Sequence, residues 1–456
     1  LMADLQYAGE FNLDHLEIIA SSGVSINVSQ ACLEINIFED IFKHSLTGQI
    51  MIGDVNDLQQ NMPFIGQEQL LMKITTPTLK GEDTVIDFTE NALSIYNVSS
   101  VVDISTGATS YTMEFCSQEL LRNNRVRVSK SYVDTPSTIV ENILTDSRFI
   151  NTKKNITKEI TSGIRNIIVP NQRPFDFITN LSRESKSLTD GNPHYLFYET
   201  TRGYNFRTLQ NLYKLNSKGS YNNGDISPDE KTGVGLGIQQ AYDRVVDYEV
   251  KGSNDSLMDS RGGLLGGKLI SYNIHNKSFN VNTYGYFEDF DKHARIDSNP
   301  KYNENLGDFT DSRIYVHPTS ATGTLNAQYA NSNNSNDSVV PNKINETLLQ
   351  KNARIYELNF GRTIAITVHG TTRLAAGDMV DLNFTGTGKN HGSGEKDKYV
   401  SGTYIVTKLR HIFSPPTRNH QIGMILSKDS LPESLEIVAD VGEIKSQGNA
   451  TINDIT

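Results

Sequence analysis

Residues 33–58 read LEINIFEDIFKHSLTGQIMIGDVNDL, and apolar side chains alternate with polar ones near both ends of this stretch. Leu33, Ile35 and Ile37 occupy every second position, and Ile50 and Ile52 repeat the pattern after an interval of turn residues. A period of two places such side chains on one face of a β-strand. The stretch therefore predicts two strands of a sheet that buries one face.

The same alternation extends outward over most of residues 16–128, where turn residues separate the apolar runs. A polar stretch occupies residues 78–83. Short alternating runs between turns are typical of antiparallel sheets. We therefore predict one antiparallel sheet domain or β-barrel over residues 1–128, the first of the chain.

The apolar period becomes helical near residue 134. Ile139 and Ile143 share one helical face after Thr135-Pro136, and proline suits the first turn of a helix. A second helix is predicted from Pro174 to about residue 185, and two aromatic-rich strands within residues 195–206 turn at Gly203. These elements predict an α+β module over residues 129–236.

The remainder mixes short helical patterns with further strands. Residues 216–224 predict a polar loop, residues 237–246 a helix, and a strand begins at Leu269. A helix is predicted near residues 344–353, and the β pattern resumes over residues 363–427. We assign residues 237–284 and 354–431 to a second, interrupted β-barrel.

Two further segments complete the predicted organisation. Residues 285–353 form an inserted subdomain, in which the Asn/Ser tract at 330–337 predicts an exposed loop. Residues 432–456 are polar and predict a flexible tail or a docking arm.

A weak internal repeat relates the two β regions. Segments that begin at Leu33, Gly48, Gly66, Tyr96 and Met113 are followed in the same order by segments that begin at Leu269, Thr363, Gly377, Tyr404 and Met424. The repeat predicts two related β-barrels with the α+β module between them. A chance match among generic β segments is the alternative.

Composition argues against nucleic-acid and membrane partners. The chain of 456 residues carries 42 Lys and Arg against 53 Asp and Glu, a net charge of -11, which repels nucleic acid. The basic stretch at residues 122–130 is short and more typical of a solvated strand edge. Without a signal segment or a run of about 18 apolar residues, we expect synthesis in the cytoplasm and no membrane insertion.

The motifs that could carry chemistry are incomplete. Gly262-x4-Gly267-Lys268 resembles a phosphate-binding loop, but Leu269 stands where Mg²⁺ needs a hydroxyl and a strand is predicted where a helix should begin. Glu288, Asp289 and Asp291 lack the spacing of a calcium loop. The ten histidines form no zinc motif, and Cys32 and Cys116 fit buried free thiols.

We therefore predict no catalytic, cofactor-binding or metal-binding residue. The chain has no tryptophan, a favoured surface for stacking sugars, which weakens the case for a glycosidase or a sugar-binding protein. An ordered β-rich chain of this kind is expected to be a structural or binding component rather than an enzyme.

Several segments resemble a known family, the baseplate hub proteins of contractile-tailed, T-even-like bacteriophages. The segments are residues 33–58, 62–70 (MPFIGQEQL), 173–185 (RPFDFITNLSRES), 194–212 (HYLFYETTRGYNFRTLQNL), 266–274 (GGKLISYNI) and 370–384 (GTTRLAAGDMVDLNF). Residues 285–353 and the C-terminal arm match no pattern of that family.

The resemblance implies a homotrimer in which two tube-like barrels per subunit make a ring of six. Such a ring would adapt the hexameric tail tube, or a tube-initiator protein, to a trimeric central spike, with baseplate wedge proteins as further possible partners. It implies a place in the tail baseplate of the virion after assembly in the host cytoplasm. We expect β-paired subunit edges and a lumen that is acidic or neutral.

Other functions are open at this point. The chain could be the hub of a related contractile injection system, although we expect no fused needle of the kind typical of that branch. A tail-associated cell-wall hydrolase and a carbohydrate-binding adhesin are alternatives of a different class.

Overall fold

The computed structural model describes residues 7–55, 58, 64–77, 84–105, 107–223, 238–252, 255–273, 277–306, 310–319, 344–385, 396–397 and 399–433. The strands are β1 (Asn12–Ile19), β2 (Ser25–Asn27), β3 (Cys32–Asp40), β4 (Thr47–Asp54), β5 (Gln69–Thr75), β6 (Val85–Asp87), β7 (Leu93–Ser105), β8 (Ala108–Ser117), β9 (Ser131–Asp134), β10 (Ile156–Lys158), β11 (Arg165–Ile168), β12 (Tyr195–Thr200), β13 (Gly203–Thr208), β14 (Ser217–Asn222), β15 (Val245–Val250), β16 (Gly266–Asn273), β17 (Ser278–Gly285), β18 (Ile314–Thr319), β19 (Arg362–His369), β20 (Met379–Asn383), β21 (Gly402–Ser414) and β22 (Asn419–Lys428). The α-helices are α1 (Gln118–Arg125), α2 (Pro136–Thr145), α3 (Pro174–Glu184), α4 (Leu209–Tyr213), α5 (Ile238–Tyr242), α6 (Ser256–Gly262), α7 (Tyr286–Phe290) and α8 (Ile344–Phe360).

One large sheet dominates the fold. Its main path runs β15-β19-β22-β21-β3-β4-β8-β7-β5-β1-β2, and β6, β14 and β20 are attached beside it. All of its pairs are antiparallel except β14 with β20. The prediction of a mainly β chain with large antiparallel sheets is confirmed.

The large sheet does not close into a barrel within the described residues, because its path ends at β15 and β2. An isolated bridge between Asn222 and Arg244 nevertheless brings the end of β14 close to the start of β15. The sheet covers two hydrophobic cores, one built mainly from β1–β8 and the other mainly from β19–β22. Alternating burial along β4 and β22 explains why these segments form strands with one apolar face.

The α+β module has its own core. Helices α2 and α3 begin at Pro136 and Pro174, as predicted from the sequence, and their apolar faces are buried. They pack in one cluster with β12 and β13, the predicted aromatic-rich strands, and β13 also pairs with β10. Both predicted helices and both predicted strands are confirmed.

The strand that begins at Gly266 lies outside the large sheet, contrary to the predicted repeat. β16 pairs with β17 on one edge and with β18 on the other, and Leu269 packs in a separate core with residues of α8. Both edges of β16 are therefore occupied by local neighbours. The first strand of the second repeat must be sought elsewhere.

The glycine-rich segment before β16 is a helix end and not a phosphate loop. Helix α6 ends at Gly262, and Gly263 has a left-handed φ of 85° as the residue that terminates it. A side chain at position 262 would collide with the ring of Tyr356, 2.4 Å from the site of its Cβ. The segment runs from helix to strand, which is the reverse of the order in a phosphate loop.

Three smaller predictions differ from the structure. The predicted loop at residues 216–224 contains β14, which is polar but is held by its pairing with β20. The basic stretch at residues 122–130 begins within α1, where Arg122 donates to the carbonyl groups of Ile150 and Asn151, each at 3.0 Å. The predicted helix at residues 237–246 ends at Tyr242, and β15 follows.

Several predictions fall where nothing is described. The polar stretch at residues 78–83, the Asn/Ser tract at 330–337 and residues 434–456 of the C-terminal arm lie outside the described residues. Within the described parts of the chain, no helix combines the length and the apolar character needed to cross a membrane.

Candidate functional site in the continuous sheet

Eight strands of the large sheet form one uninterrupted surface. In the order β15-β19-β22-β21-β3-β4-β8-β7, every neighbouring pair is antiparallel. Directly opposite residues of an antiparallel pair point to the same face. The register of the strand pairs therefore assigns each side chain of this surface to one of two faces.

One face lies on the hydrophobic cores and the other is polar. The core side carries Ile35, Ile50 and Met113 from the first half and Ile366 and Met424 from the second. Within these eight strands, the charged and amide side chains of the opposite face are Glu34, Asn36, Asp40, Gln49, Asn97, Glu114, Asp247, Glu249, Lys408, Arg410, Asn419 and Gln421. The charged groups among them are five acids and two bases, so the face is acidic.

Together with β5 and β20, which pair with β7 and β21, the surface consists of two halves with the same strand order. The first half is β3-β4-β8-β7-β5, and the second is β15-β19-β22-β21-β20. Ser94 in β7 pairs with Gln69 and Cys116. Ile405 in β21 pairs likewise with Met379 and Ser427. β7 and β21 therefore occupy equivalent positions.

The irregularities of the two halves also coincide. β7 and β8 slip by one residue between Ile95 and Asn97, and β21 and β22 slip between Val406 and Lys408. β3 and β4 slip between Cys32 and Glu34, as β15 and β19 do between Val245 and Asp247. Matching bulges fix the equivalence residue by residue, because a bulge sets the register of its strand.

This equivalence corrects the predicted repeat in one strand. The predicted segments at Thr363, Gly377, Tyr404 and Met424 contain or adjoin β19, β20, β21 and β22, which match β4, β5, β7 and β8. In the second half, the strand equivalent to β3 is β15, whereas the sequence predicts the segment at Leu269 for that position. An alternating pattern identifies a strand but not its neighbours, so the local β16 was mistaken for β15.

The two halves meet where β21 pairs with β3. The pairing runs from Lys408 opposite Asp40 to Phe413 opposite Ile35. On the polar face, Arg410 donates from Nε to Asn36 Oδ1 at 3.0 Å and lies over the ring of Phe38, 5.6 Å from its centre. A groove of about 350 Å³ opens beside these residues.

On the other side of the junction, a buried carboxylate ties three parts of the chain together. Glu39 accepts the backbone N–H groups of Thr201 at 2.6 Å and of Ala376 at 2.7 Å. Burial raises the pKa of Glu39 above its usual value, although both amides oppose that shift. Arg202 adds a two-pronged contact to Asp378, at 3.0 and 2.8 Å, between the α+β module and the second half.

A second ionic group ties the first half to the α+β module. Lys154 donates to Glu119 at 2.8 Å and to Glu199 at 2.7 Å. Glu199 also accepts the hydroxyl of Ser117, at the end of β8, and the N–H of Leu46. Burial alone would lower the pKa of Lys154, but the two carboxylates outweigh it and raise that pKa.

The structure does not bring the residues of the incomplete motifs into one site. Lys268 pairs with Asp311 at 2.7 Å, and Asp289 pairs with Lys292 at 2.6 Å. In the described part of the chain, no three His, Cys, Asp or Glu side chains are grouped in a way that could hold a metal ion.

The two cysteines are free and buried, as predicted. Burial raises the pKa of the thiols of both Cys32 and Cys116 to about 12. Their thiolate forms are therefore scarce at neutral pH, and both residues act as small apolar side chains.

Comparison with known proteins identifies solved structures of similar fold. Neither a known protein family nor any curated protein matches the chain by sequence. Among solved structures, the tail protein from Neisseria meningitidis MC58 aligns with a TM-score of 0.54 and 10% identity, over 93% of this chain and 98% of its own. The 43 kDa tail protein of prophage MuSo2 from Shewanella oneidensis aligns with a TM-score of 0.52 and 8% identity, over 91% and 98%. The chain is therefore similar in overall fold to these tail proteins.

Proposed function

We propose that the protein is a structural component of a phage-type contractile tail, a baseplate hub whose three copies form a ring. The observation that carries the proposal is the duplicated sheet, in which two equivalent five-stranded halves join through β21 and β3. The likeness in fold to tail proteins supports the same reading.

Duplication within one chain suits a protein that joins two symmetries. Three copies of a two-part chain present six equivalent sheet units while keeping threefold symmetry. Such a ring fits a hexameric tail tube, or a tube-initiator protein, on one side and a trimeric spike on the other. Its proposed partners are these two proteins and, around the rim, wedge proteins of the baseplate.

Each half of the sheet is proposed to act as a tube-like barrel in the ring. The contact between Asn222 and Arg244 supports this for the second half, because it joins the two ends of the path β14-β20-β21-β22-β19-β15. The bridge joins the path at the start of β15 and leaves the later residues of that strand outside the seam.

The polar face of the sheet is proposed to line the channel of the ring. Its charged residues are five acids and two bases, in keeping with the net charge of -11. An acidic wall repels DNA and therefore eases its passage without adhesion. The apolar face of the sheet, with the two hydrophobic cores that it covers, then points outward to the rest of the subunit.

We also propose that the protein acts without catalysis and belongs to the tail baseplate of a virion assembled in the host cytoplasm. A cell-wall hydrolase is the competing function. Purified protein added to cell walls should leave their turbidity unchanged. Loss of turbidity that a single Asp or Glu substitution abolishes would refute the non-enzymatic role.

Solution mass tests the ring directly. Light scattering should give a species near three times 50.7 kDa for the purified protein alone, or a species of three subunits plus the bound spike for the mixture with its spike protein. Negative-stain images of that species should be rings with a central channel. A mass of one subunit under both conditions would overturn the proposal.

A further inference from the structure

We propose that subunits join by pairing β7 of one copy with β15 of the next, in the antiparallel register that β21 and β3 use within one chain. The inference rests on the proposed function, because the ring makes a second copy of this chain the partner at each free strand edge. It goes beyond the ring by assigning the strands, the register and the head-to-tail character of the contact.

The internal junction supplies the template. β21 uses its first residues to pair with β20 and its later residues, from Lys408 to Phe413, to pair with β3. β7 has the same length, and its first residues, Leu93 and Ser94, pair with β5. Its later part pairs with β8 along one edge, and within the described residues no strand pairs with the other edge.

β15 presents the complementary free edge. β3 lies between β4 and β21, whereas β15, its equivalent, pairs with β19 along one side only. The Asn222–Arg244 bridge lies just before β15 and leaves the later residues of its outer edge unpaired among the described parts of the chain. Among the described residues there is thus one free strand edge of each kind that the internal junction pairs, one on β7 and one on β15.

Both vacant edges expose apolar side chains. Val101 and Val102 of β7 are 54% and 58% exposed, and Val246, Tyr248 and Val250 of β15 are 49%, 42% and 49% exposed. An apolar strand with a free edge is prone to unspecific pairing, and proteins normally cover or charge such edges. Pairing β7 of one copy with β15 of the next covers both edges and prevents unspecific pairing of either strand.

The residue equivalence gives the register. Arg410 lies opposite Phe38 in the internal junction, and their equivalents are Ser99 and Lys251. Ser99 of one subunit should therefore lie opposite Lys251 of the next. The extra residue of β7 at Ser100 and Val101 should form a bulge against Val250.

The chemistry of the two junctions is not identical. Arg410 holds Asn36 and the ring of Phe38 in the internal junction, while Ser99 stands at the equivalent position of β7. The junction between subunits is therefore held by main-chain pairing and by the exposed valines. Because its two sides differ, the contact is head-to-tail, and it propagates until a ring closes.

Cysteine pairs test the register. The variants Ser99→Cys and Lys251→Cys, each with one added cysteine, are purified separately, mixed and oxidised with copper phenanthroline. Facing residues of antiparallel strands have Cα atoms about 4.5–5.5 Å apart, within reach of a disulfide. The mixture should give a disulfide dimer on a non-reducing gel, while each variant alone should not. The native cysteines are buried and stay in place.

The matched control keeps the face and changes the register. Asp247→Cys lies four residues from position 251 on the same strand, about 13 Å away at roughly 3.3 Å per residue. Mixed with Ser99→Cys, it should not form a dimer. The protein that carries both Ser99→Cys and Lys251→Cys should give covalent dimers and trimers and no larger species.

The outcomes separate this inference from the ring itself. A trimer by light scattering without the matched disulfide, or with equal disulfide yield in the control, overturns the β7–β15 junction and leaves the ring. The matched disulfide with a mass that never reaches three subunits upholds the junction and overturns the trimer. A monomer with no disulfide overturns both.

Discussion

The two halves of the large sheet share strand order, register and bulges, yet they differ in what surrounds them. In the first half β3 and β4 follow one another closely along the chain, whereas residues 251–361 separate β15 from β19. The outer edge of β3 is covered by β21, whereas that of β15 has no strand beside it in the described residues.

The difference shows that the register of a strand is a local property, whereas the exposure of its side chains depends on the neighbouring strands. Ile35 and Ile37 of β3 are fully buried, and their equivalents Tyr248 and Val250 are half exposed. The local register is the same in both halves, so we attribute the exposure of β15 to the lack of a neighbouring strand among the described residues. The halves also differ in their sixth strand, because β1 is antiparallel to β5 while β14 is parallel to β20.

The largest expected effect comes from breaking the ionic group that supports the first half. Lys154→Met leaves Glu119 and Glu199 buried together without their cation. Loss of one partner from a buried ionic group costs about 3–5 kcal/mol. Urea unfolding should show a loss of that size in the free energy of unfolding.

The matched control for that variant is Lys214→Met. Lys214 pairs with Asp190 at 2.8 Å, but its side chain is exposed, and such pairs contribute about 0–1 kcal/mol. Equal losses for the two variants would mean that the buried group does not anchor the half-sheet.

The next effect concerns the junction between the halves. Glu39→Ala leaves the amides of Thr201 and Ala376 without their acceptor, and each unsatisfied buried donor costs about 1–3 kcal/mol. We expect a loss of roughly 2–4 kcal/mol in urea unfolding. Glu39→Gln should lose clearly less, because its amide oxygen still accepts. Similar losses for Ala and Gln would show that the acceptor is not what matters.

The third prediction extends the comparison from one chain to several. The double variant Val101→Glu/Val102→Glu places two charges in the proposed junction between subunits. Both valine side chains are exposed in the single chain, so the change should not disturb its fold. Association should weaken by roughly a hundredfold, about 2.7 kcal/mol, as measured by sedimentation. Ile168→Glu, on an exposed strand of the α+β module, should leave association unchanged. Equal association of all three proteins would exclude β7 from the contact.

Much of this fold could be predicted from the sequence, and the exceptions share a cause. Alternation identified β3, β4 and most of the second half, and proline placed the starts of α2 and α3. The strand β14 was missed because its polar residues are held by β20, which is distant in sequence. The contacts of Glu39 were also beyond reach, because Thr201 and Ala376 meet it only in the folded chain.

The smallest effect is a dependence on pH that a pair of buried histidines in the second half should produce. His411 and His420 are buried against each other, with 3.1 Å between Nδ1 of the first and Nε2 of the second. Burial, with a smaller contribution from Arg202, lowers the pKa of His411 from 6.5 to about 3, and burial also lowers the pKa of His420. In β7 and β8 the equivalent positions hold no histidine.

The sign follows from the lowered pKa. Between pH 3 and 6.5 the unfolded chain binds a proton at His411 that the folded chain does not, so stability is highest above pH 6.5 and falls as pH decreases. At pH 5 the loss from this one group is about 2 kcal/mol. His411→Gln should remove that part of the difference in unfolding free energy between pH 7 and pH 5. An unchanged difference would place the acid sensitivity elsewhere, and the two halves would then be alike in this respect.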